Sequence, residues 1–341
     1  MSDPTAKRAA EVERRVDVVR RVAADAGARG VLLASRHNFA WLTVGGLNHV
    51  LLATERGAVP LLVSADRSVA LAPINEAARI ADEELAGLPL EILETPWAEA
   101  ADPHPVAERL AGGPVVDDDA VEQALLPRRS QLVPLEHERL AELGRTAAAA
   151  TDEVVGSTSA DDSEHEVGAE LTHRLLRQGI RAPVVLVAAD ERIARYRHPL
   201  PTGRRVGHRV MVVLVAECDG LHVALTRIAE LEPPSADLAL RIRGAEDVLR
   251  AMRDATRPGA TLGSVLAAGQ RAYATAGFGE EWRYHHQGGS IGYRARERIA
   301  VPGDPTPIVP GMAFAWNPSI AGAKAEETIL LDPAGEARIL T

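Results

Sequence analysis

The stretch HRVMVVLVAECDGLHVALTR, residues 208–227, constrains the fold more than any other. Two aliphatic runs flank Asp219-Gly220, a dipeptide that accepts the positive backbone angles of a tight turn, so the segment reads as a β hairpin. APVVLVAAD, residues 182–190, reads as a strand just before it. Helical patterns surround these strands: an Ala-rich helix within 134–160, another after Ser163, and two more over 234–256 and 261–277. Ser163 and Glu166 have the spacing of a capping box. The group Asp161, Asp162, Glu164, His165 and Glu166 therefore reads as a solvated helix start rather than a ligand cluster. The tail from Gly311 onward reads as β again.

A different alternation precedes residue 134. Val12, Val16, Val19, Val22 and Ala23 recur at helical spacing up to Gly27, and GVLLAS (30–35) reads as a buried strand. Residues 49–73 read as strands broken at Gly57 and at Asp66-Arg67. A helix over 74–87, a strand over 89–95, a helix over 103–113 and a strand at 114–118 follow. The expectation is an α/β (α+β) chain in two domains, 1–133 and 134–341.

Bulk composition excludes several function classes. A formal charge of −10 with dispersed arginines argues against a nucleic-acid partner. No apolar run reaches membrane-spanning length, and the first fifteen residues contain no apolar core. The single cysteine, Cys218, rules out an internal disulfide and a cysteine-based zinc site, and the chain reads as cytoplasmic. GGSIG (288–292) lacks the spacing of a nucleotide loop, and there is no nucleophile elbow and no H-E-x-x-H.

Four segments follow one another in a telling order: RHPLPT (197–202), AECDGLHVALTR (216–227), GGSIGYRARE (288–297), and GMAFAWNPSI with AKAEETILL (311–331). They resemble the creatinase / aminopeptidase P / methionine aminopeptidase (M24) superfamily, and SRHNFAWLTVGG (35–46) resembles the start of a creatinase-type N-terminal domain. The resemblance implies a creatinase-type α/β domain followed by a pita-bread domain, and a homodimer. It also exposes a departure. Metal-dependent members hold two divalent ions with two Asp, one His and two Glu. The corresponding positions here are Val213, Ala224, Gly289, Asn317 and Glu326, of which only Glu326 is a carboxylate. A site for two dications needs several carboxylates to offset their charge, so no metal and no other cofactor is expected.

Creatinase, which works without metal, supplies the pattern for the remaining residues. Its catalytic His corresponds to His198, its last Glu to Glu326, and the Arg of its GRE motif to Arg296, whereas a second creatinase Glu meets Thr226 here. His198 lies between Arg197 and Pro199 in a stretch that cannot be helical, and an imidazole shuttles protons near neutrality. Glu326 stands before an apolar strand, and neighbouring Glu327 should point the other way. Arg296 with Glu297 can grip a carboxylate or brace the loop. Of the adjacent His285 and His286, one should face the site. Asn317 offers a neutral amide, Tyr293 and Lys324 are possible lining residues, and Arg227 fits either a substrate contact or an ion pair. Arg36, with His37 and Asn38, is the candidate for closing a partner subunit's pocket.

These residues point to a metal-independent hydrolase or lyase that cleaves a C–N bond in a small amino-acid-like, guanidino or amide compound, with His198 as acid/base. Two alternatives stay open: a non-catalytic binder of a peptide, small molecule or protein, and a metallopeptidase with a rearranged site built from His198, His285 or His286, Glu297 and Glu326.

Overall fold

A computed structural model describes residues 4–98 and 101–341, which form two compact units divided between Arg129 and Ser130. Among the described residues no helix is long and apolar enough to cross a membrane.

The first unit is built on a five-stranded sheet. Helix α1 (Pro4–Asp25) leads into β1 (Gly30–Ser35), α2 (Arg36–Leu42), β2 (Arg56–Ser64), β3 (Ser68–Pro73), α3 (Ile74–Arg79), β4 (Glu91–Thr95), α4 (His104–Ala111), β5 (Val115–Asp117) and α5 (Glu122–Arg129). The strand order is β4-β3-β2-β1-β5. All of β1 is buried, as an aliphatic run without alternation requires. Leu32 packs with Leu62, Val69, Leu71 and Ala107 of α4. The apolar stripe of α1 (Val12, Val16, Val19, Val22, Ala23) is buried as its periodicity predicts. Two details differ from the sequence reading. Residues 49–55 form no strand, and Val50, Leu51 and Leu52 are exposed. Gly57 does not break β2 but lies inside it, because a Cβ there would stand 2.1 Å from the Asn48 side chain.

The second unit carries α6 (Pro134–Ser157), α7 (Glu164–Leu176), β6 (Arg181–Ala189), α8 (Glu191–Arg195), β7 (Arg209–Cys218), β8 (Leu221–Glu230), α9 (Ala236–Ala255) and α10 (Leu262–Thr275). It continues through β9 (Gly288–Ile291), β10 (Arg298–Ile299), β11 (Ala313–Trp316), β12 (Ser319–Ile320), β13 (Ala323–Lys324), β14 (Glu327–Leu331) and β15 (Ala337–Ile339). The 208–227 segment is the antiparallel β7–β8 hairpin, in register from Cys218↔Leu221 to Arg209↔Glu230. Asp219 (φ 50°) and Gly220 (φ 77°) both adopt the left-handed conformation this two-residue turn demands. β6, β7 and β8 form one sheet, packed by α6 and α7; β10-β9-β11-β14-β15 form another. Ser163 caps α7 through the box with Glu166.

Strand alternation decides which side chains reach the site. Phe314 and Trp316 of β11 and Ile329 and Leu331 of β14 enter a core shared with α9 and α10. Their neighbours Ala315 and Thr328, paired across β11 and β14, therefore face the opposite way, toward β8. There the Thr328 hydroxyl donates to the Ala224 carbonyl and accepts from the Ala224 N–H, both at 2.8 Å. One fully buried hydroxyl thus pins the two sheets together beside the candidate site. Thr328→Val keeps the shape but leaves buried backbone groups unsatisfied, so it should lower unfolding free energy by about 1–3 kcal/mol. Denaturant titration checks this; an unchanged midpoint would show that the sheets hold without the pin.

Candidate functional site

Glu326 anchors the site. It is buried, and both carboxylate oxygens are engaged. Arg296 Nη2 lies 3.2 Å from Oε1, while Lys324 Nζ at 3.0 Å and the Thr226 hydroxyl at 2.7 Å reach Oε2. Lys324 and Glu326 are two residues apart in extended chain, which places them on one face. Burial pushes the Glu326 carboxyl up, but the charges of Lys324 and Arg296 and the hydrogen bonds outweigh it and hold its pKa at about 2. Burial also lowers the Arg296 guanidinium pKa, against the pull of Glu326. Two cations against one carboxylate leave one positive charge over in this cluster. Glu327 turns the other way and pairs with Arg253 of α9 at 3.0 Å.

Three imidazoles gather within reach of these charges. His198 Nε2 and His285 Nε2 are 2.9 Å apart, and the rings of His285 and His286 stack at 4.3 Å between centroids. Several anchors build this cluster. Arg197 ties the His198 loop to Glu281 at 2.5 Å and to the Ser319 hydroxyl at 3.2 Å, while Pro199 keeps the loop extended. Glu164, fully buried, accepts from the N–H and hydroxyl of Thr202 at 2.9 and 2.7 Å and pairs with Arg192. On the other side Gln287 donates to the carbonyls of Trp282 and His285, and its own oxygen accepts from Tyr273. The sequence reading, with its strand alternation, expected one of His285 and His286 to face inward. In fact both do, because β9 begins only at Gly288 and no strand pairing constrains the pair.

All three rings are held neutral at pH 7. Burial lowers the His285 pKa to about 3, helped by His286, Lys324 and His198. Burial and then Arg296 lower that of His286 to about 4. His198 is lowered too, by burial and then Lys324, with Glu326 opposing. His198 and Glu326 thus lie within electrostatic range of one another.

The remaining expected residues differ in their surroundings. The Tyr293 hydroxyl is buried and donates to Glu136, whose other oxygen accepts from the Val133 N–H at the start of α6. Arg227 pairs with Asp152 of α6 at 2.6 Å, as its ion-pair reading expects. Glu297 is buried and accepts from the Arg294 N–H at 3.2 Å, bracing the loop that carries Arg296. Arg36 belongs to the first unit, where it donates to the Leu52 carbonyl at 2.8 Å. Asn317 is buried, and its Oδ1 has no hydrogen-bond partner. Lys324 and Glu164 carry more than the sequence reading gave them. The i, i+2 spacing of Lys324 to Glu326 was the signal for the first, but nothing local marks Glu164 as buried.

Residues 138–334 match the profile of Metallopeptidase family M24. The chain belongs to this family. A probable dipeptidase PepE of Mycobacterium tuberculosis (strain H37Rv) is 26% identical, over 94% of this chain and 92% of that protein. The crystal structure of dipeptidase PepE from Mycobacterium ulcerans superposes with a TM-score of 0.80 at 22% identity, covering 100% of this chain and 97% of that one. The prolidase from Pyrococcus horikoshii OT3 gives 0.79 at 17%, covering 96% and 98%. The expected superfamily, its mixed α/β fold and its hydrolase class agree with these findings.

The residues present do not fit the pair of divalent ions that the M24 resemblance associates with this fold. Val213 is in an apolar cluster with Leu186, Ala188 and Met211. Ala224 offers only backbone groups, already bound to Thr328. At Gly289 a Cβ would stand 1.9 Å from the Arg298 carbonyl oxygen, so this backbone accepts no side chain there at all. Glu326, the carboxylate that remains, is neutralised by Lys324 and Arg296.

A pH prediction follows from the imidazoles. An unfolded His titrates near ~6.5, whereas folded His285 and His286 take up protons only near 3 and 4. As pH falls below ~6.5 the unfolded chain binds protons the folded one refuses, so stability falls with acid. Glu326 contributes in the lower part of this window, where the unfolded carboxyl at ~4.3 begins to protonate and the folded one does not, but that contribution is shared by the native chain and the variant. Thermal unfolding between pH 6.5 and 4.5 should therefore steepen with acid in the native chain and flatten in His285→Gln/His286→Gln. Equal slopes would mean that the two rings titrate normally.

Proposed function

We propose that this M24 chain is a metal-independent hydrolase that cleaves a C–N bond in a small, carboxylate-bearing, amino-acid-like compound, with His198 as proton carrier. The observation that carries this reading is the placement of Lys324 and Arg296 on Glu326. Charge that relatives would offset with metal is offset here by side chains, and the surplus positive charge suits an anionic group of the substrate. The mycobacterial relatives named dipeptidase support a substrate of dipeptide size.

The chemistry follows from proton affinities. A neutral His198 accepts a proton from attacking water and returns it to the departing nitrogen. Only one proton fits between His198 Nε2 and His285 Nε2, so the tautomers of the two rings are coupled and His285 orients His198. Asn317 Oδ1 is a free buried acceptor for an amine or amide N–H of the ligand. Glu326 keeps Arg296 and Lys324 in place without itself taking a proton.

A second reading is favoured by the missing ligands: the same cluster binds an anionic amino-acid-like compound without turning it over. Turnover assays on dipeptides and on ureido and guanidino amino acids, run in EDTA, separate the two. The hydrolase reading expects activity that survives the chelator and falls roughly 100-fold or more in His198→Ala, mainly in kcat. Activity abolished by EDTA and restored by Mn²⁺ or Co²⁺ would overturn it; saturable binding with no turnover would favour the second reading.

A further inference from the structure

We propose that His198, His285 and His286 together form a binding site for one borderline transition-metal ion, Zn²⁺ foremost, and that filling it switches the reaction off. The three rings each present a nitrogen, and these atoms all lie within 4.8 Å of one another. Three nitrogens on a tetrahedral zinc at ~2.1 Å sit about 3.4 Å apart. The site therefore closes by small ring rotations, and His198, exposed on its loop, is free to make them.

The donor atoms are also available. His286 Nδ1 accepts from the Gly288 N–H at 3.3 Å, which leaves Nε2 of that ring for a ligand. His285 Nε2 and His198 Nε2 converge at 2.9 Å, where either a shared proton or a bound ion must separate two lone pairs. His285 Nδ1 is buried without a side-chain partner, so the ring can carry its proton there and turn the Nε2 lone pair to an ion. Three imidazoles select Zn²⁺, Cu²⁺ or Ni²⁺ over Mg²⁺, Ca²⁺ or Mn²⁺. These donors are not the residues that replace the relatives' carboxylate-rich ligand set, since Val213, Ala224, Gly289 and Asn317 take no part. Lys324 and Arg296 oppose a dication and Glu326 partly offsets them, which makes the ion exchangeable rather than permanent.

The consequence for activity rests on the reading of His198 as proton carrier. An ion on His198 occupies the lone pair that would accept the proton from water. Metal should then inhibit this chain, the reverse of its effect on a metallopeptidase.

The test uses EDTA-stripped protein titrated with Zn²⁺ by calorimetry, with Mg²⁺ as control, and with Co²⁺ followed by its visible absorption. One equivalent of Zn²⁺ should bind, Co²⁺ should give the intense bands of a tetrahedral site, and both signals should vanish in His285→Gln/His286→Gln that retains the native circular-dichroism spectrum. No stoichiometric binding, or binding undiminished in that variant, overturns the site. Where turnover is measurable, Zn²⁺ should abolish it and EDTA restore it. Zinc bound at the trio with turnover unchanged overturns the switch and the role of His198 while the site stands. If no substrate is turned over, the switch falls together with the hydrolase reading, and the binding arm decides the site.

Discussion

The ion pairs on Glu326 are the interaction on which this site depends. A lone buried carboxylate would be driven to protonate or to pull the fold apart. Lys324, Arg296 and the Thr226 hydroxyl instead saturate both its oxygens, so it stays charged inside the second unit. The same pairs fix the two cations, and those cations in turn help keep His198, His285 and His286 neutral. Breaking a buried pair by removing one partner costs about 3–5 kcal/mol, because the other charge stays behind. Glu326 is therefore the costliest member to remove: its loss strands two cations, whereas loss of Lys324 leaves Arg296 on the carboxylate.

Around it, each element supplies one part. The face of β8 that carries Ala224 and Thr226 meets Thr328 and Glu326 at β14. Glu164 at the start of α7 and Arg197 hold the His198 loop from two sides. Gln287, anchored by Tyr273 of α10, holds the other two histidines. Where the M24 resemblance would place an imidazole, β9 runs so close to β10 that Gly289 has no room for a Cβ. The misfit with that ligand pattern thus lies in the backbone as well as in the side chains. A single reversion to His at 289 would not restore a metal site.

Much of this was legible in the sequence because it rests on local rules. The Asp219-Gly220 turn, the Ser163–Glu166 capping box and the stripe of α1 all appear as read. The motif order identified the superfamily, and the missing carboxylates were visible as Val213, Ala224 and Asn317. What was hidden depends on tertiary neighbours. The acidic run 161–166 reads as solvated, yet its Glu164 is fully buried, because Arg192 and Thr202 arrive from beyond β6. Alternation expected one inward histidine of two, but alternation governs only paired strands, and 285–286 precede β9. Tyr293 sits in a motif next to the site, yet its hydroxyl is held by Glu136, more than a hundred residues away in sequence.

The central claim is that side-chain cations, not metal ions, balance Glu326. A double-mutant cycle in EDTA-stripped protein tests it most directly, with Lys324→Met, Glu326→Gln and both together, read as unfolding free energies. The account predicts that each single change destabilises and that the pair is coupled by roughly 1–3 kcal/mol, the double variant recovering part of the loss. Additive effects, together with a native chain stabilised by two equivalents of a divalent ion in a manner that needs Glu326, would contradict it.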